Sequence, residues 1–330
     1  MATGQRRIFL LNSMGAAAAV WGGLPRLAHA QAGDYPNRPM RVVVPTPPGQ
    51  GSDIGIRALS KQVQELTGQP FVVDNLPGGN QVIGARAVLR SPPDGYTMFV
   101  GSQSSMAGNA AYLKDLGYDA VRDFTPVAAL MRSVWACVVS GQSEFRTAAD
   151  LFAAARRNPD MRSFGINGSS YQMGAILLGQ AVGVPLNIIT YKGAPQVVQD
   201  VAGRQIAAGF AETSTVTPLV ASGRLRALFV MSDKRLPHLP DVPTAREAQI
   251  DVPAFFSWMA LFAPANTPKP LRDKLAGVIE KGMRTEEFVR FLTSIGFENC
   301  FMDPDRLAQF QVEEIAKYRL AMKVGNLLPQ

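Results

Sequence analysis

Histidine and cysteine are almost absent, with two of each in 330 residues. His29 falls in the N-terminal segment, so beyond it the only histidine is His238, wedged between Pro237 and Leu239. A Ser-His-acid triad or a His/Cys metal cluster needs its ligands and bases in one place, and a Gly-x-Ser-x-Gly elbow is missing as well. Hydrolase and metalloenzyme chemistry are therefore excluded, and His238 reads as a surface loop residue. Cys137 and Cys300 read as two buried free thiols, although an oxidising compartment would permit a bridge. Basic runs interleaved with aromatics are also lacking, which excludes a nucleic-acid footprint.

The longest stretch of mostly apolar or small residues lies at the N-terminus. Arg6 and Arg7 precede a mostly apolar or small stretch from Ile8 to Leu24, and Ala28-His29-Ala30 supplies small residues for cleavage. This is the pattern of an export signal over residues 1–30, cut near Ala30. The run Arg6-Arg7-Ile8-Phe9-Leu10 also fits a twin-arginine signal, with an ordinary secretory signal as the alternative. No later segment reaches the roughly 18 to 20 uninterrupted apolar residues of a membrane span. The predicted product is an exported, periplasmic chain. The formal charge of +7 includes three arginines and no acid from the first thirty residues, leaving 30 bases against 26 acids, or +4.

About 300 remaining residues exceed what one core usually serves, so two domains are expected. The chain alternates β-branched runs with amphipathic stretches, as βα units on mostly parallel sheets do. Met40–Val44 reads as the first strand. A Pro- and Gly-rich loop follows, and Ser52 is placed to cap a helix presenting Ile56, Leu59 and Val63 on one face and ended by Gly68. Phe71–Val73 and Tyr96–Val100 read as strands, with a short helix over Ile83–Leu89 between them. Thr147 with Asp150 forms a capping box, followed by a loop over Gly165–Ser170 and strands at Asn187–Tyr191, Ile206–Phe210 and Leu225–Met231. From Leu271 on the pattern is helical, with Pro304 opening the last helix. Apolar runs at Val134–Val139 and Phe255–Phe262 read as two crossings between halves. The expected division is residues 31–134 plus 250–330 as lobe 1 and 135–249 as lobe 2, hinged about a cleft.

Several blocks, in order, resemble the Bug-type substrate-binding proteins of tripartite tricarboxylate transporters. They are Tyr35-Pro36, Val44-Pro45 with Pro47-Pro48-Gly49 and Asp53, Asn75 with Pro77-Gly78, Pro93-Asp94-Gly95-Tyr96, Tyr191-Lys192-Gly193, Leu225-Arg226-Ala227-Leu228, Leu239-Pro240-Asp241-Val242-Pro243-Thr244, and Ala263-Pro264. The resemblance spans nearly the whole chain past residue 30. It implies an α/β, two-lobed periplasmic-binding-protein fold of the type II-like, Venus-flytrap kind, with two interlobe crossing strands. It further implies a monomer that captures a small carboxylate, delivers it to membrane permease subunits and catalyses nothing. No cofactor and no metal are expected. The solute class stays open among di- or tricarboxylates, aromatic acids and acidic amino acids.

Mapped by position, the resemblance places first-lobe contacts among Thr46, Pro47, Gly51, Ser52 and Asp53, with Asn80, Ser102, Gln103 and Ser104. Second-lobe contacts fall at Asn167, Gly168, Ser169, Ser170 and Ala194, and Glu212 is placed to pair with a cation on an amphoteric solute. The chain departs from the family pattern at Thr46 for a usual Phe, Gln50 for Gly, Gln172 for His, and Glu212 where an Asp normally follows Phe210 directly. Several of these positions line the expected cleft, so no particular acid is carried over.

The chemistry suits an anion without a lysine, because a Gly-rich turn running into a helix start converges backbone N–H donors at the positive end of the helix dipole. Asp53, at such a start, suits a dipole partner or brace better than an anion contact. Lys192 reads as a contact or a solvated turn charge, and Trp135 and Trp258 as hinge packing ahead of a wall of the cleft. The alternative is an exported nicotinamide oxidoreductase, since Gly49, Gly51 and Gly55 follow a strand, open a helix and are trailed by Asp74. Its spacing is Gly-x-Gly-x-x-x-Gly, and Pro47 and Pro48 occupy the turn where backbone must wrap a pyrophosphate.

Overall fold

The computed structural model describes residues 35–324 and 326–328, so the export signal expected over residues 1–30 lies outside the described residues. Strand β1 (Met40–Val44) is apolar but for Arg41 and largely buried, and it runs parallel to β2 (Phe71–Asn75) on one side and β3 (Thr97–Ser102) on the other. Helix α1 (Gly51–Thr67) joins β1 to β2, burying Ile56, Leu59 and Val63 and stopping at Gly68, whose φ of 74° belongs to the left-handed region glycine adopts freely. Helix α2 (Val82–Leu89) joins β2 to β3. Gln50, and not Ser52, is the residue flanking α1. Ser52 lies within the first turn, and its hydroxyl meets Thr46 instead of capping the backbone.

The molecule is organised around one long strand, β4 (Phe124–Ser140), seventeen residues in length. Its first part pairs antiparallel with β9 (Phe256–Pro264), from Phe124 opposite Pro264 to Val134 opposite Phe256, and also with β10 (Glu298–Met302). At Trp135 the partners change: from there β4 pairs with β7 (Ala208–Glu212) and β8 (Leu225–Val230). β7 continues parallel to β5 (Ser163–Ile166), and β5 to β6 (Asn187–Thr190). The ladder order is thus β2-β1-β3-β9-β4-β7-β5-β6. The sheet is mixed rather than mostly parallel, because β4 and β9 both run against their neighbours where the chain passes between halves.

Each half carries its own helices. On the first, α1 packs with α8 (Lys269–Met283) and α9 (Glu286–Ser294) over Val42, Leu130, Leu261 and Met283. On the second, α6 (Ala194–Ala202) and α7 (Thr213–Ala221) cover Ala136, Val138 and Val230. The remaining helices are α3 (Asn109–Tyr112), α4 (Ala148–Arg157), α5 (Ser169–Ala181) and α10 (Pro304–Val324). Thr147 and Asp150 form the reciprocal capping box that starts α4. The Asp303 carboxylate accepts from the Asp305 and Arg306 N–H groups at the start of α10. A third apolar cluster unites the halves, with Trp135, Phe210 and Tyr171 from one side joined to Trp258, Phe310 and Tyr318 from the other.

Three further expectations are corrected. β10 interrupts the stretch read as helical from Leu271 onward. Residues Ser163–Ile166 are strand and Ser169 already helical, so little of Gly165–Ser170 is loop. Half-buried His238 is not a plain surface residue: its Nε2 is shut from solvent without a partner, and burial holds its pKa below the usual value.

Candidate functional site

The turn after β1 is tied down by one acid. Asp53, only 3 % exposed, accepts from the Gly49 N–H at 2.9 Å, from Asn75 Nδ2 at 3.0 Å and from Arg57 Nε at 3.0 Å. Asn75 Nδ2 also reaches the Thr46 carbonyl at 3.0 Å. Burial raises the Asp53 carboxyl and these three donors outweigh it, leaving its pKa below the ordinary value. The acid therefore stands ionised as a brace that fixes the loop against α1. Gly51 allows that helix start to approach the Phe297 ring, since an added Cβ would lie 2.5 Å from a ring carbon. Gly55 faces Met131 in the same manner.

Between this loop and the second half lies a cavity of about 60 Å³. From the first half, Thr46, Gln50, Gly51, Ser52, Gln81, Ser102, Gln103 and Ser104 line it, with Pro45, Val100 and Met259 as apolar floor. Asn167, Tyr171 and Glu212 close it from the second half. No lysine, arginine or histidine is among these residues. Helix α1 starts at the cavity and α5 starts beside it, with Tyr171 of its first turn in the lining, and the first-turn N–H groups of an α-helix have no intrahelical carbonyl to bond. Hydroxyls add to them: Ser52 Oγ lies 2.6 Å from Thr46 Oγ1, and Ser102 Oγ donates to Gln81 Oε1 at 2.7 Å. The arrangement gathers neutral donors with the positive ends of two helix dipoles, which is a setting for a small anion.

Ser257, on β9, is the hub beneath the cavity. Its Oγ accepts from Trp135 Nε1 at 2.8 Å and from Gln103 Nε2 at 3.2 Å, and donates to Glu212 Oε1 at 2.9 Å. Tyr171 Oη donates to the same Glu212 oxygen at 2.9 Å and lies 2.8 Å from Ser257 Oγ. Tyr171 stacks on Trp135 with ring centroids 3.9 Å apart, and Trp135 stacks on Phe255 from its side at 5.3 Å. Burial pushes the Glu212 carboxyl above its usual range, with the Ser257 and Tyr171 bonds opposing that rise. The two tryptophans are packing residues: both are buried, and Trp258 Nε1 donates to Glu314 Oε2 at 2.9 Å.

Of the residues placed in the cleft from the sequence, Thr46, Gly51, Ser52, Ser102, Gln103, Ser104, Asn167 and Glu212 come together around the cavity. Seven do not line it. Pro47 is exposed on the loop, and Asp53 faces the brace described above. Asn80 is exposed and gives only its carbonyl, to Asn109 Nδ2, while its neighbour Gln81 turns into the cavity. Gly168 flanks α5 in a conformation, φ 116°, that favours glycine. Ser169 donates to Asn109 Oδ1, Ser170 accepts from Ser104 at 3.5 Å, and Ala194 is buried among the apolar residues of the second half. Lys192 is exposed in its turn. Tyr171 and Ser257 were not legible as site residues, since one reads as helix interior and the other as one position in an apolar strand.

The dinucleotide alternative meets no support. The cavity is far smaller than such a cofactor, and Gly51 and Gly55 answer to Phe297 and Met131 rather than to a pyrophosphate. Among the described residues no three His, Cys, Asp or Glu side chains group to hold a metal.

Comparison with known proteins gives one family. The model of the tripartite tricarboxylate transporter family receptor, TctC, matches residues 56–327. Protein BugT of Bordetella pertussis is 30 % identical over 296 residues, covering 88 % of this chain and 90 % of its own. Among solved structures, R. palustris Rpa4515 with adipate superposes with a TM-score of 0.85 at 29 % identity, over 90 % of this chain and 100 % of that one. MatC from Rhodopseudomonas palustris with bound malate gives 0.80 at 26 %, over 87 % and 99 %.

Proposed function

Since the chain belongs to the tripartite tricarboxylate transporter receptor family, we propose that it works as an extracytoplasmic solute-binding protein that captures a small carboxylate for transport. The observation that carries this reading is the cavity between the halves, where the starts of α1 and α5 and a set of hydroxyls meet without any basic side chain. The related structures hold adipate and malate, both carboxylates. Each hydrogen bond to a charged group contributes about 1.5–3 kcal/mol, and micromolar capture needs about 8 kcal/mol net. Four or five donors shared between the halves would reach that after the cost of association.

The switch of partners along β4 at Trp135 supports a hinge there, dividing lobe 1 (residues 31–134 and 250–330) from lobe 2 (135–249). In this reading the protein acts as a monomer in the periplasm, after removal of residues 1–30. It hands its solute to membrane permease subunits and performs no catalysis. A thermal-shift screen against carboxylates tests the reading: a true ligand at a hundred times its dissociation constant adds about 2.7 kcal/mol of stability. Shifts with a dinucleotide and with no acid would overturn it.

A further inference from the structure

Glu212 is an acid in a cavity otherwise arranged for an anion. Both of its hydrogen bonds fall on Oε1, from Tyr171 and Ser257, and Oε2 has no partner among the described residues. No cationic side chain lines the cavity to neutralise it. A second, independent observation points the same way. Asn167 Oδ1, on the same side of the cavity, is buried and receives no hydrogen bond. A buried acceptor without a donor is costly, so Asn167 Oδ1 calls for one from the solute, and the free Glu212 oxygen belongs to the lining of the same cavity.

The cavity is thus polarised. At the α1 start it presents backbone donors and the Ser52 hydroxyl; at the end of β7 and the approach to α5 it presents the acceptors Glu212 and Asn167. A solute carrying only carboxylates would satisfy the first set and set like charge against the second.

We propose that the solute is amphoteric, a compact carboxylate bearing a protonated nitrogen, with Glu212 and Asn167 receiving that nitrogen. This rests on the capture of a carboxylate proposed above and names the further group the site selects. An ammonium offers three donors, enough for Glu212 Oε2 and Asn167 Oδ1 together.

Calorimetric titration of the purified protein with matched pairs tests this: aspartate against succinate, alanine against propionate, 4-aminobutyrate against butyrate. The expected result is that the amino member of at least one pair binds about ten-fold or more tightly than its plain partner. Glu212→Gln, which keeps shape and removes the charge, should abolish that ratio while plain acids bind as well or better. Asn167→Leu should lower the ratio with Glu212 intact. A ratio near one in the wild type, or a preference for the plain acids, overturns the inference while leaving carboxylate capture standing. So does a ratio unchanged in a folded Glu212→Gln protein. If no member of any pair binds, the capture reading itself fails.

Discussion

Replacing Ser257 by alanine should weaken the protein far more than loss of one hydroxyl suggests. The side chain serves four partners at once, accepting from Trp135 and Gln103, donating to Glu212 and touching Tyr171. All but Glu212 are buried, so the Trp135 and Gln103 donors have no water to turn to once Ser257 is gone. Each stranded donor costs about 1–3 kcal/mol, giving roughly 2–6 kcal/mol for the pair. For a chain of this size about 1 kcal/mol moves the melting temperature by ~2–4 °C, so the expected fall is about 4–24 °C. Scanning calorimetry or circular dichroism measures it, with Ser222→Ala, an exposed serine bonded only to the Leu219 carbonyl, as the comparison. A fall of less than about 2 °C would refute the view that Ser257 holds the two halves' aromatic and polar groups in place.

Ser52→Ala should loosen solute binding by about ten- to 150-fold, the loss of one bond to a charged group, with little change in melting. Ser169→Ala, whose hydroxyl is engaged with Asn109, should instead lower stability by about 1 kcal/mol; equal effects on affinity for both would contradict the placement. Asp53→Asn should lower stability by about 1–3 kcal/mol at neutral pH through loss of the charged acceptor. Because the Asp53 pKa is depressed in the fold, its stabilisation is present above the ordinary 3.8 and disappears as pH falls through the folded value. The variant's urea midpoint should therefore converge on the wild type's in acid. Glu212 runs the other way. Its raised pKa means that the ligand-free fold is best served below the ordinary 4.5 and loses stability as pH climbs through the folded value. Glu212→Gln should flatten that decline in urea titrations at successive pH values, and a decline of unchanged steepness would count against it.

Much of this was legible in residue order because local signals agreed with the tertiary outcome. Met40–Val44 is an apolar β-branched run and forms β1 as read; Gly68, the Thr147/Asp150 box and Pro304 mark helix limits that hold. β10 escaped because Glu298–Met302 lacks strict alternation and is only partly buried, its strand character coming from pairing with β4. Ser52 was misread as a cap because its hydroxyl finds a nearer partner in Thr46. Asn80 and Gln81 both adopt positive φ, at 50° and 75°, which turns the second side chain inward and leaves the first outside. No periodicity reveals such a turn. The hub at Ser257 is an interaction of residues up to 154 positions apart, set by the packing of β9 against β4 and α5.

Hydrogen exchange at single-residue resolution, with and without a carboxylate that raises the melting temperature, bears most directly on capture between the halves. Two separate helix starts gripping one solute should both slow together, with protection appearing at the amides of Gly51 and Ser52 and of Tyr171. Protection confined to one half, or found instead in the second half's groove beside Arg146 and Arg226, would contradict it.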